Sequence, residues 1–306
     1  VGMISAFIVY ARQFGRPINE IAQLYAQIQT ALAGAERVFD IMDEKTEDSL
    51  EEGHHAAMPE GKGVISFEHV DFSYVPEKQV LYDFTLNVRA GHKVALVGAT
   101  GSGKTTVVNL LMRFYDTDSG KILIDGVDIR DISLEELRRN IAIVLQDTVL
   151  FSDTIKNNLK YADIDASDEQ IKRAAEIGCC DRMISHLEKG YETMLSESGQ
   201  NLSQGQRQLL SISRAVLANP KILILDEATS SVDTRTEKNI QDAMVNLMKD
   251  RTSLIIAHRL STIRDADFIV VLDQGKIVET GNHEELIEQK GRYYELYMTQ
   301  FSGKQI

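Results

Sequence analysis

The sequence predicts an α/β fold: a parallel sheet covered on both faces, with an antiparallel piece at its edge and a separate helix ahead of it. Three observations lead there. Val94–Val97, Ile222–Leu225 and Ser253–Ala257 are continuous apolar runs, the pattern of strands buried on both faces rather than one. Helical spacing follows them, in Val107, Val108, Leu110 and Leu111 after the first and in Thr236–Met248 between the other two. The runs Val64–Val70 and Leu81–Val88 are separated by a turn instead of a helix, which suggests an antiparallel pair.

Taken in order, the chain first shows apolar positions at three- and four-residue steps from Pro17 to Met42, among them Ile18, Ile21, Leu24, Ile28 and Leu32. An amphipathic helix is expected there, with Pro17 in its first turn, where a missing N–H costs nothing. Such a stripe needs a partner. Met3–Tyr10 is apolar too, and Arg12 and Arg16 follow it, so two readings stand: the cytoplasmic continuation of a membrane helix, or a surface helix docked on the domain behind it. Residues 43–60 hold seven acids and one lysine with Gly53 and Pro59, a solvated linker in which the domain boundary is expected. His54 and His55 lie inside it and read as exposed residues, not ligands. Strands are expected at Val64–Val70, Leu81–Val88, Lys93–Val97, Lys121–Ile124 and Ile141–Leu145. Helices are expected at Glu169–Ile177 and Ser203–Leu217, the second stopped by Asn219 and Pro220. Phe268–Leu272 and Lys276–Glu279 flank a turn at Asp273–Gly275, and short helices around Glu284–Ile287 and Tyr293–Met298 finish the chain.

The bulk numbers set limits. With 306 residues and 43% hydrophobic content, the chain can bury a sizeable core. Its 33 basic against 46 acidic residues leave a net charge of −13, which argues against a general nucleic-acid surface. Cys179 and Cys180 are adjacent, where a disulfide is strained, so two reduced thiols are expected. No apolar run reaches the about 20 residues that span a bilayer, and nothing reads as a cleavable signal. A start at Val1 reads as a fragment.

The chemistry gathers around one stretch. Gly98-Ala-Thr-Gly-Ser-Gly-Lys104-Thr105 sits where an apolar strand gives way to a helix, the context in which GxxxxGK followed by Ser or Thr cradles phosphate. Its glycines let the backbone curl so that successive N–H groups point at one anion, and the helix N-terminus adds partial positive charge. The nucleotide-binding residues predicted are Gly98, Thr100, Gly101, Ser102, Gly103, Lys104, Thr105 and Thr106. Lys104 reaches the β- and γ-phosphates and Thr105 holds Mg²⁺. Ile222–Leu225 ends in Asp226 and Glu227, acids at the sheet edge where α/β folds bind ligands. Asp226 suits the Mg²⁺ through a water, and Glu227 is then free to orient or deprotonate the attacking water.

Leu202-Ser-Gln-Gly-Gln206 opens a long helix, so the Ser203 hydroxyl, the N–H groups of Gly205 and Gln206 and the helix dipole form a second anion site. With this stretch the chain resembles, over residues 64–300, the nucleotide-binding domain of an ATP-binding cassette (ABC) transporter. The stretch is similar to that family's signature, with Gln204 where Gly is more usual. The resemblance implies a P-loop NTPase with a RecA-like parallel core, an antiparallel β subdomain and a helical signature subdomain, preceded by an N-terminal helix. It implies head-to-tail pairing of two such domains, so that Ser203, Gly205 and Gln206 act in trans on the partner's ATP. It further implies that Tyr74 stacks on adenine, that Gln146 joins Thr105 and Asp226 around Mg²⁺, and that Glu227, His258 and Gln146 form the catalytic set. Glu197–Gly199 resembles the segment exporters use to touch their membrane part. Asp233 ends a loop, Ser230–Asp233, that resembles one crossing the dimer interface, although Ser231 and Val232 depart from the commoner Ala-Leu.

On this resemblance residues 1–44 are the cytoplasmic end of a last transmembrane helix, 45–62 an acidic linker and 63–306 the ABC ATPase domain. The expected protein is the ATP-hydrolysing subunit of an exporter at the cytoplasmic face of a membrane. Its cofactors are ATP and Mg²⁺. Its partners are a second ABC ATPase domain, identical or related, and a transmembrane domain, with no nucleic acid. The alternative is a soluble ABC-type ATPase of DNA repair or translation, a class that carries coiled-coil or basic insertions not found here. A small-molecule kinase, the third class, has no use for Leu202–Gln206.

Overall fold

The computed structural model describes residues 2–44, 46–47, 57–145, 148–227, 234–257 and 263–300. The chain divides into two compact units, residues 1–53 and 54–306. In the first, α1 spans Gly2–Met42, so the helix starts well before Pro17 and the expectation of a first-turn proline is corrected. Pro17 cannot donate to the carbonyl four residues back, but one missing bond is outweighed by the unbroken ladder on either side. No residue of α1 is buried, and the stripe of Ile18, Ile21, Leu24, Ile28 and Leu32 is exposed throughout. Among the described residues no helix is long and apolar enough to cross a membrane.

The second unit opens with a hairpin of β1 (Ile65–Val75) and β2 (Lys78–Val88). Both strands run further toward the tip than their apolar runs predict, because Phe72 still pairs with Leu81, and Val75 with Lys78, across it. With β4 (Ser119–Ile124) and β5 (Val127–Asp128) they form an antiparallel sheet of order β2-β1-β4-β5. The other sheet contains β3 (Lys93–Val97), β6 (Ile141–Val144), β7 (Ile222–Glu227), β8 (Thr252–Ala257), β9 (Phe268–Asp273) and β10 (Lys276–Gly281). Its order is β10-β9-β3-β8-β7-β6, parallel except for β10 at the edge.

The helices of this unit are α2 (Lys104–Leu111), α3 (Leu134–Asn140), α4 (Ile155–Lys160), α5 (Asp168–Ile177), α6 (Asp181–Ser185), α7 (Gln204–Ala218), α8 (Thr234–Met248), α9 (His283–Gln289) and α10 (Arg292–Gln300). The sequence reading lacks α3, α4 and α6, which have seven, six and five residues and are too short for apolar periodicity to register. Caps announce two of them: Ser133 accepts from the Glu136 N–H and Thr154 from the Asn157 N–H.

Alternation along the central strands divides the apolar interior in two. Ala95, Val97, Leu223, Leu225 and Ile255 face one core, which they share with α5, α7 and α8. Val94, Leu96, Ile222, Ile224 and Leu254 face the other, which they share with α2 and the antiparallel sheet. Hence the continuous apolar runs, and hence the placing of α2 between two sheets.

Neither cysteine is in a disulfide, as the adjacency predicts. Cys180 is fully buried with its Sγ 3.0 Å from Ser213 Oγ. Burial pushes its thiol from 9.0 up to about 12, so at about pH 8 on the order of one molecule in 10⁴ carries the reactive thiolate there. Iodoacetamide is therefore expected to leave Cys180 unmodified in the folded protein and to alkylate it after denaturation. Peptide mass spectrometry of the two samples checks this.

A candidate phosphate-binding site at the sheet edge

The chain leaves β3 at Val97 and turns at once through Gly98, where a Cβ would stand 2.3 Å from the Leu272 carbonyl oxygen and 2.6 Å from Ser102 Oγ. Gly101 and Gly103 hold φ of 82° and 105°, which side chains rarely tolerate. Gly103 is the N-cap of α2 and offers no side-chain cap, so the first-turn N–H groups of the helix are left for a ligand. Ser102, Lys104 and Thr106 are buried, whereas Thr100 and Thr105 are exposed.

Lys104 is bent over its own loop. Its Nζ donates to the carbonyls of Gly98 at 2.8 Å and Ala99 at 2.9 Å, and to Ser102 Oγ at 3.4 Å. Burial pushes the ammonium below the usual lysine range, and the Asp226 carboxylate draws it part of the way back. A desolvated cation whose hydrogen bonds go to neutral oxygens, at a helix N-terminus, suits a bound anion. An ammonium beside backbone N–H groups fits a polyphosphate, and the Thr105 hydroxyl with the Asp226 carboxylate are the hard oxygen donors that Mg²⁺ takes.

Strand register puts the acids at the same end. Asp226 lies opposite Ile256 of β8, which lies opposite Leu96 of β3, so Asp226 is two strands, about 10 Å, from the next-to-last residue of β3. Glu227 follows opposite Ala257. The Glu227 side chain, Gln146, Asp233 and His258 lie outside the described residues, as do Ser230, Ser231 and Val232. The strands that lead to Gln146 and His258, β6 and β8, end at this edge, Val144 opposite Leu225 and Ala257 opposite Glu227.

Tyr74, on β1, is tied to the cradle helix. Its hydroxyl donates to Thr106 Oγ1 at 3.2 Å and accepts from Asn109 Nδ2 at 3.0 Å, while its ring meets Phe72 and Tyr115 edge-on at 4.9 and 5.0 Å. Tyr74 nevertheless stays 44% exposed. Asn109 and Tyr115 escape a reading of the sequence because they reach Tyr74 only through the packing of α2 against β1. Gly275 escapes it because only the pairing of β9 with β3 brings its turn to the loop. Its N–H donates to the Ser102 carbonyl at 3.1 Å, and its carbonyl accepts from the Tyr82 N–H at 3.1 Å.

Ser203 is the N-cap of α7 and shares a capping box with Gln206: the Gln206 N–H donates to Ser203 Oγ at 3.3 Å, and the Ser203 N–H to Gln206 Oε1 at 2.9 Å. This modifies the expectation for Gln206, whose N–H is engaged within the cap. The Ser203 hydroxyl keeps its proton to donate, and the first-turn Gly205 N–H has no helical acceptor. Arg207 steadies the preceding turn through the Leu202 carbonyl at 2.8 Å, and Glu197–Gly199 forms a single 3₁₀ turn. The cradle helix α2 packs on one face of the parallel sheet and α7 on the other.

This fold, with its cradle, defines a P-loop nucleotide-binding domain. Residues 81–230 match the ABC transporter family. The chain is 51% identical over 296 residues to the fatty acid ABC transporter ATP-binding/permease protein of Mycobacterium tuberculosis, an alignment covering 97% of this chain and 46% of that protein. It is 46% identical over 305 residues to the ATP-dependent lipid A-core flippase of Syntrophus aciditrophicus, covering 100% of this chain and 50% of that one. Among solved structures, a bacterial Atm1-family ABC exporter with ATP bound superposes with a TM-score of 0.77 at 38% identity, covering 94% of this chain and 50% of that one. The chain thus spans about half the length of these relatives. It belongs to the ABC transporter family and is an ATPase domain of it.

Proposed function

We propose that this chain is the ATP-hydrolysing part of an ABC exporter. Residues 1–44 are the cytoplasmic end of its last transmembrane helix, 45–62 the linker and 63–306 the ATPase domain, at the cytoplasmic face of a membrane. The observation that supports this most is the buried Lys104 ammonium, hydrogen-bonded to neutral oxygens at the start of α2. The relatives are named as transporters, exporters and flippases, which disfavours the soluble alternative.

In this reading Lys104 and the loop N–H groups hold the β- and γ-phosphates, and Tyr74 offers its exposed ring to the base. Thr105, Asp226 and Gln146 hold Mg²⁺, which when bound neutralises charge on the phosphate oxygens. Glu227 orients the attacking water and accepts its proton, and His258 contacts the γ-phosphate. Ser203 and Gly205 close over the ATP held by a second domain, with Asp233 at that interface. Closure and release of the pair drive alternating access in the attached membrane domain.

Glu227→Gln tests the catalytic assignment. In the full-length protein ATP turnover is expected to fall about 100-fold or more with ATP binding retained, the scale of a lost general base. Unchanged turnover would remove Glu227 from that role.

A further inference from the structure

We infer that the β9–β10 turn is the back wall of the phosphate cradle, and that Gly275 is a positioning residue for ATP binding. The inference rests on the nucleotide site proposed above and extends it to a segment 170 residues further along the chain. Three contacts carry it. The Gly275 N–H donates to the carbonyl of Ser102, in the middle of the loop, at 3.1 Å. The Gly275 carbonyl accepts from the Tyr82 N–H of β2 at 3.1 Å, so the turn is held between the two sheets. At Gly98, the first residue of the loop, a Cβ would meet the carbonyl oxygen of Leu272, the β9 residue that leads into the same turn, at 2.3 Å.

The turn has little freedom of its own. Gln274 and Gly275 hold φ of 48° and 78°. A Cβ on Gly275 would stand 2.0 Å from the Val80 carbonyl oxygen and 2.9 Å from its carbon, which are backbone atoms that cannot swing aside. Lys276 places its Nζ 5.5 Å from the centre of the Tyr82 ring, and Arg292 of α10 reaches Asp273 at 3.4 Å, so side chains brace the turn from both sides. The loop in front of this wall must hold several N–H groups and one ammonium aimed at a single ligand. Its glycines give it no stiffness of its own. A carbonyl of the loop fixed from behind keeps the amides on the other side facing the phosphates.

The experiment is Gly275→Ala in the full-length protein, with Gly126→Ala as the control, a left-handed glycine (φ 85°) of another turn where an added Cβ would meet nothing within 4 Å. Affinity for trinitrophenyl-ATP and the rise in melting temperature on adding ATP are measured beside the unliganded melting temperature. Because the nucleotide-induced rise depends on affinity for the folded state, it separates cradle geometry from general stability. Gly275→Ala is expected to bind at least about tenfold more weakly and to lose most of the ATP-induced rise, while Gly126→Ala stays within about twofold of the unmodified protein. If Gly275→Ala keeps the full affinity and the full rise, the inference fails, whatever happens to the unliganded stability. If the unmodified protein itself fails to bind, the nucleotide reading fails instead. Amide exchange of the unmodified protein gives a test that needs no variant: the Gly275 and Tyr82 amides are expected to slow several-fold on saturation with ATP and Mg²⁺. Exchange at both sites unchanged by saturation overturns the inference.

Discussion

Lys104→Met in the full-length protein is expected to weaken ATP binding about 100-fold and to bring ATP turnover to background, while the nucleotide-free melting temperature stays within about 3 °C of the unmodified value. The size of the first effect follows from removing a cation that contacts two phosphates, worth about 3 kcal/mol at charged hydrogen bonds. The second follows from burial. Lys104 is 8% exposed, and burial holds its ammonium below the usual lysine range. A lysine whose folded value is depressed loses stability when protonated, so its charge is a cost at neutral pH that fades only as pH rises through the depressed value. Methionine keeps the aliphatic length and removes that cost, which offsets the lost bonds to the carbonyls of Gly98 and Ala99. Isothermal titration with ATP and thermal unfolding without it give the two readings. A large drop in the unliganded melting temperature with ATP affinity intact would mean that Lys104 holds the loop together and not the phosphate.

That division of labour shows why some of the site is legible in the sequence and some is not. The cradle is contiguous: strand, glycines, lysine and helix follow one another within Lys93–Leu111, so local spacing carries the whole signal. The second acidic element reads nearly as well, because Ile222–Leu225 is buried on both faces and leaves only Asp226 and Glu227 as polar residues at its end. The wall behind the cradle does not read at all. Asp273–Gly275 has the composition of any tight turn, and only the side-by-side pairing of β3 and β9 brings it to Ser102. Tyr74 was readable as an aromatic at a strand end, but its anchoring by Asn109 and Thr106 depends on α2 lying between the sheets. Pro17 misleads in the opposite direction: a strong local start signal is overridden because apolar, helix-compatible sequence continues on its N-terminal side.

Ser203→Ala carries the other large expectation, a fall in ATP turnover of about 100-fold or more, the scale seen when one preorganised donor to a transition-state oxygen is removed. Loss of the cap costs α7 only about 1 kcal/mol, so the domain should stay folded and bind ATP at its own cradle. What makes the substitution informative is where α7 sits, on the opposite face of the parallel sheet from α2. A head-to-tail pair needs the Lys104 loop of one copy and the Ser203 helix of the other for each ATP. Mixed dimers of two differently tagged copies then rank in a set order. With Lys104→Met in one copy and Ser203→Ala in the other, both defects fall in one composite site and the second site is whole. With both substitutions in the same copy, each composite site carries one defect and turnover is expected at background. Were each ATP served by one chain alone, the order would invert, since only the second dimer contains an unmodified copy. Turnover of the two purified mixed dimers, measured side by side, decides between the arrangements.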